Sequence, residues 1–266
     1  DQPIFEPDLG TTPLWRSTTI TGLFAAEHRI EETLEKLLKQ QSQIFGEAET
    51  QNLFKTEILE DKDWEREWMS HYHPMQFSDK FWVCPSWCEI PDPTGINLML
   101  DPGLAFGTGT HPTTALCLEW LAKQNLKREL VIDYGCGSGI LGIAALLLGA
   151  ESVIGVDIDP QALQATKDNL DRNGLESGRL PVYFPEKVPE IEADTLIANI
   201  LAGPLKTLAP TLAALMRPGA KLLLSGLLES QADELSQYYS QWFEMDPPEN
   251  KEEWIRLTGI KRELEG

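Results

Sequence analysis

The sequence predicts an α/β protein. A mostly parallel sheet with helices on both faces and an antiparallel edge strand follows a small α+β domain. Three observations predict it. From Ile96 onward, short apolar runs alternate with segments of helical periodicity. A glycine-rich turn, Asp133-Tyr134-Gly135-Cys136-Gly137-Ser138-Gly139, separates a strand-like run from a helix-like one. From Trp242 the pattern changes to a pair of extended segments, of the kind that edge such sheets.

Taken in order, Ser17 to Phe24 reads as a strand, and Ile30, Leu34, Leu37 and Leu38 have the spacing of one helix face. Leu53 to Leu59 reads as a second strand. These elements make residues 1–60 a small domain. Asp63-Trp64-Glu65-Arg66-Glu67-Trp68 places two tryptophans four apart on a short helix, so 61–78 is expected to be a helical linker. The aromatics up to Trp87 would pack between two domains; a stacking platform for bases would need basic neighbours. Residues 79–266 form the larger domain. Its strands are expected at Leu130–Asp133, Val153–Asp157, Asp194–Asn199 and Lys221–Ser225. Ile140–Leu148 and Glu229–Gln241 are expected helices. Asp159 would cap a further helix, with Pro160 in its first turn. Trp242–Met245 and Glu253–Thr258 would form a hairpin-like pair.

The chain has 266 residues, enough for one large or two smaller domains, and 42% are hydrophobic, so a sizeable core is available. No apolar run approaches the ~20 residues that cross a bilayer, and no leader-like segment opens the sequence. It begins without a Met, so residues upstream are expected. Net charge is −20, from 42 acidic and 22 basic residues. A basic stripe for nucleic acid is absent, and an acidic body attracts basic partners. A basic protein or a small molecule is therefore the expected substrate. Four cysteines do not make a disulfide framework in a chain this long. His71, His73, Cys84 and Cys88 could ligate zinc, but their spacing among Trp82, Pro85 and Trp87 favours reduced thiols in a cytoplasmic protein.

Glycines at 135, 137 and 139 permit a tight turn and close backbone approach, and a helix N-terminus behind them favours negative charge. Two cofactor classes use this Rossmann-like geometry. Gly137-x-Gly139-x-x-Gly142 with Asp157 twenty residues on matches a dinucleotide fingerprint, a weak signal by itself. Asp133 points the other way: its carboxylate would repel a diphosphate but accept from a cationic amine, which favours S-adenosylmethionine. Asp157, ending the next strand, would accept from the ribose hydroxyls.

Further motifs are more specific. Asp101-Pro102-Gly103-Leu104-Ala105-Phe106-Gly107-Thr108-Gly109-Thr110-His111-Pro112-Thr113-Thr114 precedes the turn; Ala198-Asn199-Ile200-Leu201-Ala202-Gly203-Pro204-Leu205 and Lys251-Glu252-Glu253-Trp254 follow it. In this order they resemble PrmA, the methyltransferases of ribosomal large-subunit protein eleven, from about Phe5 to the end. The resemblance implies a class I methyltransferase domain behind a small substrate-recognition domain, here N-terminally incomplete because the family pattern has a strand and helix before the Phe5 region. It implies S-adenosylmethionine as cofactor and methylation of lysine side chains and the α-amine of a basic ribosomal protein. Carried over by position, Thr114, Gly135, Asp157 and Asn199 would bind the cofactor, beside Asp133 and Gly137 from the reading of the turn, while Phe106, Thr108 and His111 would line the loop around its methionine end. Where many methyltransferases place an acid for adenine, Glu186 is the one candidate, with backbone groups as the alternative.

Methyl transfer needs a neutral amine aligned with the methyl group. Asn199, at the carboxyl end of a strand, is the expected orienting group, against a turn-forming role. His111 could be a base or an orienting, loop-packing residue. Thr113 or Thr114 would cap the helix through Trp120. Methylation of another substrate such as RNA, or a dinucleotide-dependent oxidoreductase, remains the alternative.

Overall fold

The computed structural model describes residues 19–25, 27–45, 54–58, 69, 72–101, 107 and 109–263. The chain divides into two units, Asp1–Met69 and Ser70–Gly266.

In the first unit, helix α1 spans Ile30–Phe45, with Glu31 and Glu32 in its first turn, where carboxylates suit the helix dipole. Neither expected strand appears among the described residues: 19–25 and 54–58 have no regular structure, and Ser17, Thr18, Leu53 and Leu59 lie outside them. Ile20, Leu23 and Ile58 are exposed. A strand needs a ladder partner for its backbone groups, and none occurs among the described residues of this unit. Trp64 and Trp68 lie outside the described residues.

The second unit begins earlier than the expected linker end. Met75-Gln76-Phe77-Ser78 alternates apolar and polar side chains, and this period of two makes it strand β1 (Met75–Ser78). It pairs antiparallel with β2 (Phe81–Cys84), which pairs parallel with β3 (Ile96–Met99). Phe81 belongs to the core of this unit together with Val83 and Leu98.

The main sheet contains β4 (Leu130–Tyr134), β5 (Ser152–Val156), β6 (Val182–Tyr183), β7 (Ala193–Asn199), β8 (Met216–Leu228), β9 (Phe243–Met245), β10 (Glu249–Lys251) and β11 (Trp254–Lys261). Its order is β10-β11-β8-β7-β4-β5-β6, with β9 also on β11. Strands β4 to β8 pair in parallel, whereas β11 runs antiparallel to β8. The expected terminal pair is present, and the edge beyond β11 is shared by β9 and β10 at its two ends.

Successive residues of each central strand serve opposite faces. Val131, Val153, Ile197 and Leu223 pack toward one core cluster; Ile132, Ile154, Leu196 and Leu222 pack toward the other. The first face is covered by helices α2 (Pro112–Leu121) and α3 (Ile140–Leu147) and by the β1–β3 sheet; the second by α5 (Ala202–Ala214) and α6 (Ala232–Tyr239). Helix α4 (Pro160–Arg172) follows β5, with Asp159 Oδ1 capping the Gln161 amide at 2.8 Å. The chain order reverses between β4 and β7, which opens a crevice at the carboxyl ends of these strands, the usual ligand position in open α/β sheets.

Candidate active site

Strand β4 ends at Tyr134 and the chain turns sharply. The amides of Gly135 and Cys136 both donate to the Val156 carbonyl, at 2.7 and 3.0 Å, which fastens the turn to the end of β5. Gly135 has φ 81°, and a Cβ there would lie 2.3 Å from Ile200 Cγ2. Position 135 is therefore closed to any side chain on two counts, backbone conformation and space. Gly139 is the N-cap of α3 in the left-handed region, and a Cβ there would meet Thr166 Cγ2 at 2.8 Å.

Two acids flank the turn. Asp157 Oδ2 accepts the Gly137 amide at 2.9 Å and Oδ1 accepts the Asp159 amide at 3.0 Å. A carboxylate has about four acceptor sites, so two remain after these bonds. Asp133 is 1% exposed, and its Oδ2 accepts the Gly142 amide at 2.8 Å. Burial pushes its pKa up from 3.8 to about 7; the Gly142 hydrogen bond opposes this, and the charge of Asp157 adds to it.

Opposite the turn stands Asn199, the last residue of β7, paired in register with Ser225 of β8. Asn199 Nδ2 is 3.4 Å from Thr114 Oγ1. Its Oδ1 is buried and has no hydrogen-bond partner. Thr114 is fully buried inside α2. The cap of that helix is neither Thr113 nor Thr114 but His111, whose extended backbone and Nδ1 serve the Thr113 amide at 3.3 Å. Pro112 takes the first helical position, where its missing amide leaves nothing unsatisfied. The His111 ring meets Trp254 edge-on, with centroids 4.8 Å apart.

Asp133, Gly135, Gly137 and Asp157 thus meet at the turn, and Thr114 meets Asn199, at neighbouring strand ends. Phe106 and Thr108 lie outside the described residues. Glu186 is exposed in a short 3-10 turn, Pro185–Lys187, directly after β6.

Several contributors escaped the sequence reading. Thr166 Oγ1 donates to the Gly137 carbonyl at 3.1 Å, and Asn169 Nδ2 donates to the Ser138 carbonyl at 2.9 Å. Both sit on the buried face of α4 with Ala162, Leu163 and Leu170. A polar residue within an apolar helical stripe is a readable signal for a buried hydrogen bond. Ser138 Oγ donates to the Gly107 carbonyl at 2.7 Å, which ties the glycine turn to the loop preceding α2. Gly226, inside β8, has φ 88°, and a Cβ there would fall 2.3 Å from the Ile200 carbonyl oxygen. Glycine within a strand often marks such a close approach. Ile158, next to Asp157, is 80% exposed, an apolar surface beside that carboxylate.

S-adenosylmethionine fits this arrangement on two observations. Asp157, just after β5, keeps two acceptor sites, and a buried amide oxygen at Asn199 lacks a donor. The strand order, the three-glycine turn after β4 and the acid directly after β5 define a class I S-adenosylmethionine-dependent methyltransferase. The family described as ribosomal protein L11 methyltransferase (PrmA) matches residues 1–262. A ribosomal protein L11 methyltransferase of Shewanella piezotolerans is 58% identical over 265 residues, covering 98% of this chain and 88% of that protein. One from Teredinibacter turnerae is 59% identical over 264 residues, covering 99% and 86%. The crystal structure of a ribosomal protein L11 methylase from Lactobacillus delbrueckii subsp. bulgaricus superposes with a TM-score of 0.64 at 30% identity, over 72% of this chain and 100% of that one. The chain belongs to the ribosomal protein L11 methyltransferase family.

Proposed function

We propose that this chain methylates amino groups of ribosomal protein L11, both lysine side chains and the N-terminal α-amine, in the cytoplasm. The observation that carries the reading is the unpartnered Asn199 Oδ1 at the carboxyl end of β7. Leaving a buried acceptor unsatisfied costs about 1–3 kcal/mol, and an amine N–H from a substrate removes that cost.

S-adenosylmethionine, when bound, supplies an electrophilic methyl group on a cationic sulfur. The residues of the chain do the rest. Asn199 Oδ1 holds an amine hydrogen and so turns the nitrogen lone pair toward the reacting carbon. Thr114 fixes the Asn199 amide from behind. Gly135 and Gly137 let the backbone approach the cofactor, and Asp157 uses its remaining acceptor sites for the ribose hydroxyls. Asp133, beneath the turn, attracts the methionine amine. Phe106 and Thr108, by position in the family motif, complete the methionine end.

The amine must also lose a proton. A free lysine, with pKa about 10.4, is neutral at pH 7 only about once in 2,500 molecules, a cost of about 4.6 kcal/mol; an α-amine near 8 costs about 1 kcal/mol. Burial and a neighbouring positive charge both favour the neutral form. Orientation supplies the remainder.

The net charge of −20 supports a basic protein over a nucleic acid as partner. Cys84, Cys88, Cys117 and Cys136 are all free thiols, which supports a reducing compartment. No helix among the described residues is long and apolar enough to cross a membrane. Mass spectrometry of purified L11, after incubation with S-adenosylmethionine and this chain, tests the reading. Mass steps of one methylene per methyl are expected, placed by fragmentation on lysines and the N-terminus. An unchanged L11 mass under conditions where the cofactor binds would remove the proposed substrate.

A further inference from the structure

We propose that His111 is a positioning residue locked in its neutral Nε2–H form, and that it does not accept the proton of the substrate amine. The inference rests on the amine-methylating reading above for its kinetic arm only.

A neutral imidazole carries one hydrogen, and the nitrogen without it is the acceptor. The Thr113 amide can only donate, and it meets His111 Nδ1 as the side-chain cap of α2. Thr113 Oγ1 lies 2.8 Å from the same nitrogen. A hydroxyl can donate or accept, so the amide decides: Nδ1 is the acceptor, and the ring hydrogen sits on Nε2. A base role fails at both nitrogens. Nδ1 is occupied by the helix start, and Nε2 already holds its proton. Protonating the ring would turn Nδ1 into a donor facing an N–H and break the cap.

The surroundings agree with the neutral form. Burial pulls the His111 pKa below the ordinary imidazole value, while Glu252 and Glu253, in the turn between β10 and β11, pull the other way with smaller effect. Lys251 beside them is paired with Glu119 of α2 at 2.7 Å. The ring is also held from the side by Trp254, the first residue of β11. His111 therefore joins the start of β11 to the start of α2. Two residues into that helix, Thr114 reaches Asn199. The ring acts through this path, by keeping Thr114 under the Asn199 amide.

Two measurements test this. Long-range nitrogen–proton NMR of the whole chain, with ring-labelled histidine, reads the tautomer directly; contacts with the Trp254 ring identify His111 among the four histidines. The expected result near neutral pH is an unprotonated Nδ1 and a protonated Nε2, with conversion to imidazolium only below the usual histidine range. A protonated Nδ1 would overturn the proposal, whether or not the chain methylates L11. The second measurement is the pH profile of kcat and kcat/KM for His111→Asn and His111→Ala. Asparagine caps helices well and has no basic nitrogen. His111→Asn is expected to keep kcat within about tenfold with the acid limb unmoved, since removing a true general base costs about 100-fold or more; His111→Ala should lose more in kcat/KM. Loss of the acid limb in His111→Asn would reinstate the base role. An unmodified chain with the expected tautomer but no L11 activity would instead sink the substrate assignment and leave the tautomer standing.

Discussion

Asn199 Nδ2 lies 3.4 Å from Thr114 Oγ1, between residues 85 apart in sequence, and the oxygen of the same amide is buried without a partner. One half of the side chain is held by the protein and the other is left for a ligand. Asn199→Ala should therefore lower kcat for L11 methylation by at least about 100-fold, the scale of lost alignment. It should lower thermal stability only modestly, because the deleted oxygen makes no native hydrogen bond and the deleted Nδ2 makes a single long one, 3.4 Å, to Thr114. Thr114→Val, which keeps the shape but drops the hydroxyl, should lower kcat less, by about tenfold. Rapid-quench turnover beside a melting curve checks both. A large drop in melting temperature for Asn199→Ala would make the residue structural.

The central strands were readable because their apolar residues come in short runs bounded by glycine and acid, as in Val131–Ile132 before Asp133 and Val153–Ile154 before Asp157. The glycine turn was readable because each glycine answers a backbone demand. In the first unit only the helix was readable, from the spacing of Ile30, Leu34, Leu37 and Leu38 in α1. Ser17–Phe24 and Leu53–Leu59 have strand composition, but composition cannot supply a partner strand. Strands β1 and β2 were missed although β3, at Ile96, was read: the alternation in Met75–Ser78 spans four residues, too few to stand out beside the aromatics expected to form a helical linker. In the site, the helix start was misplaced because histidine is not a common cap, and Thr113 and Thr114 are of a better capping type. The support from Thr166 and Asn169 depends on which face of α4 is buried, which the sheet order decides.

Asp157 braces the turn through the Gly137 amide while retaining acceptor sites. Asp157→Ala removes both services. Hydrogen bonds to a charged acceptor are each worth about 1.5–3 kcal/mol, so S-adenosylmethionine affinity should fall at least about tenfold. Isothermal titration calorimetry measures this. Unchanged affinity would move the ribose contact to another residue.

Asp133 should make cofactor binding depend on pH. Its folded pKa, about 7, is raised above the ordinary 3.8. The native state thus keeps a proton that the unfolded chain gives up, so this group's contribution to stability falls as pH rises from about 4 to about 7, by up to about 4 kcal/mol, and is flat above. Asp133→Asn should flatten that part of the stability curve. Attraction to a cationic amine favours the ionised carboxylate. Binding below pH 7 should therefore release a proton, and affinity should weaken as pH falls. Calorimetry in buffers of different ionisation heat counts the proton. No release in the unmodified chain near pH 6 would remove Asp133 from the methionine end.

Gly135 and Ile200 couple the cradle to the strand that carries Asn199. A Cβ at position 135 would stand 2.3 Å from Ile200 Cγ2, on a backbone already at φ 81°. Gly135→Ala should destabilise the chain by about 2–4 kcal/mol, combining left-handed strain with overpacking. The two parts can be separated. Ile200→Ala clears the space but leaves the backbone strain, so the double variant should be only about 1–2 kcal/mol less stable than Ile200→Ala alone. It should not recover activity, because moving Ile200 disturbs the peptide next to Asn199, which Gly226 also contacts closely from β8. Denaturant melts of the two single variants and the double variant give the coupling energy. Strict additivity would mean that the two side chains never meet, and that the glycine at 135 answers to backbone conformation alone.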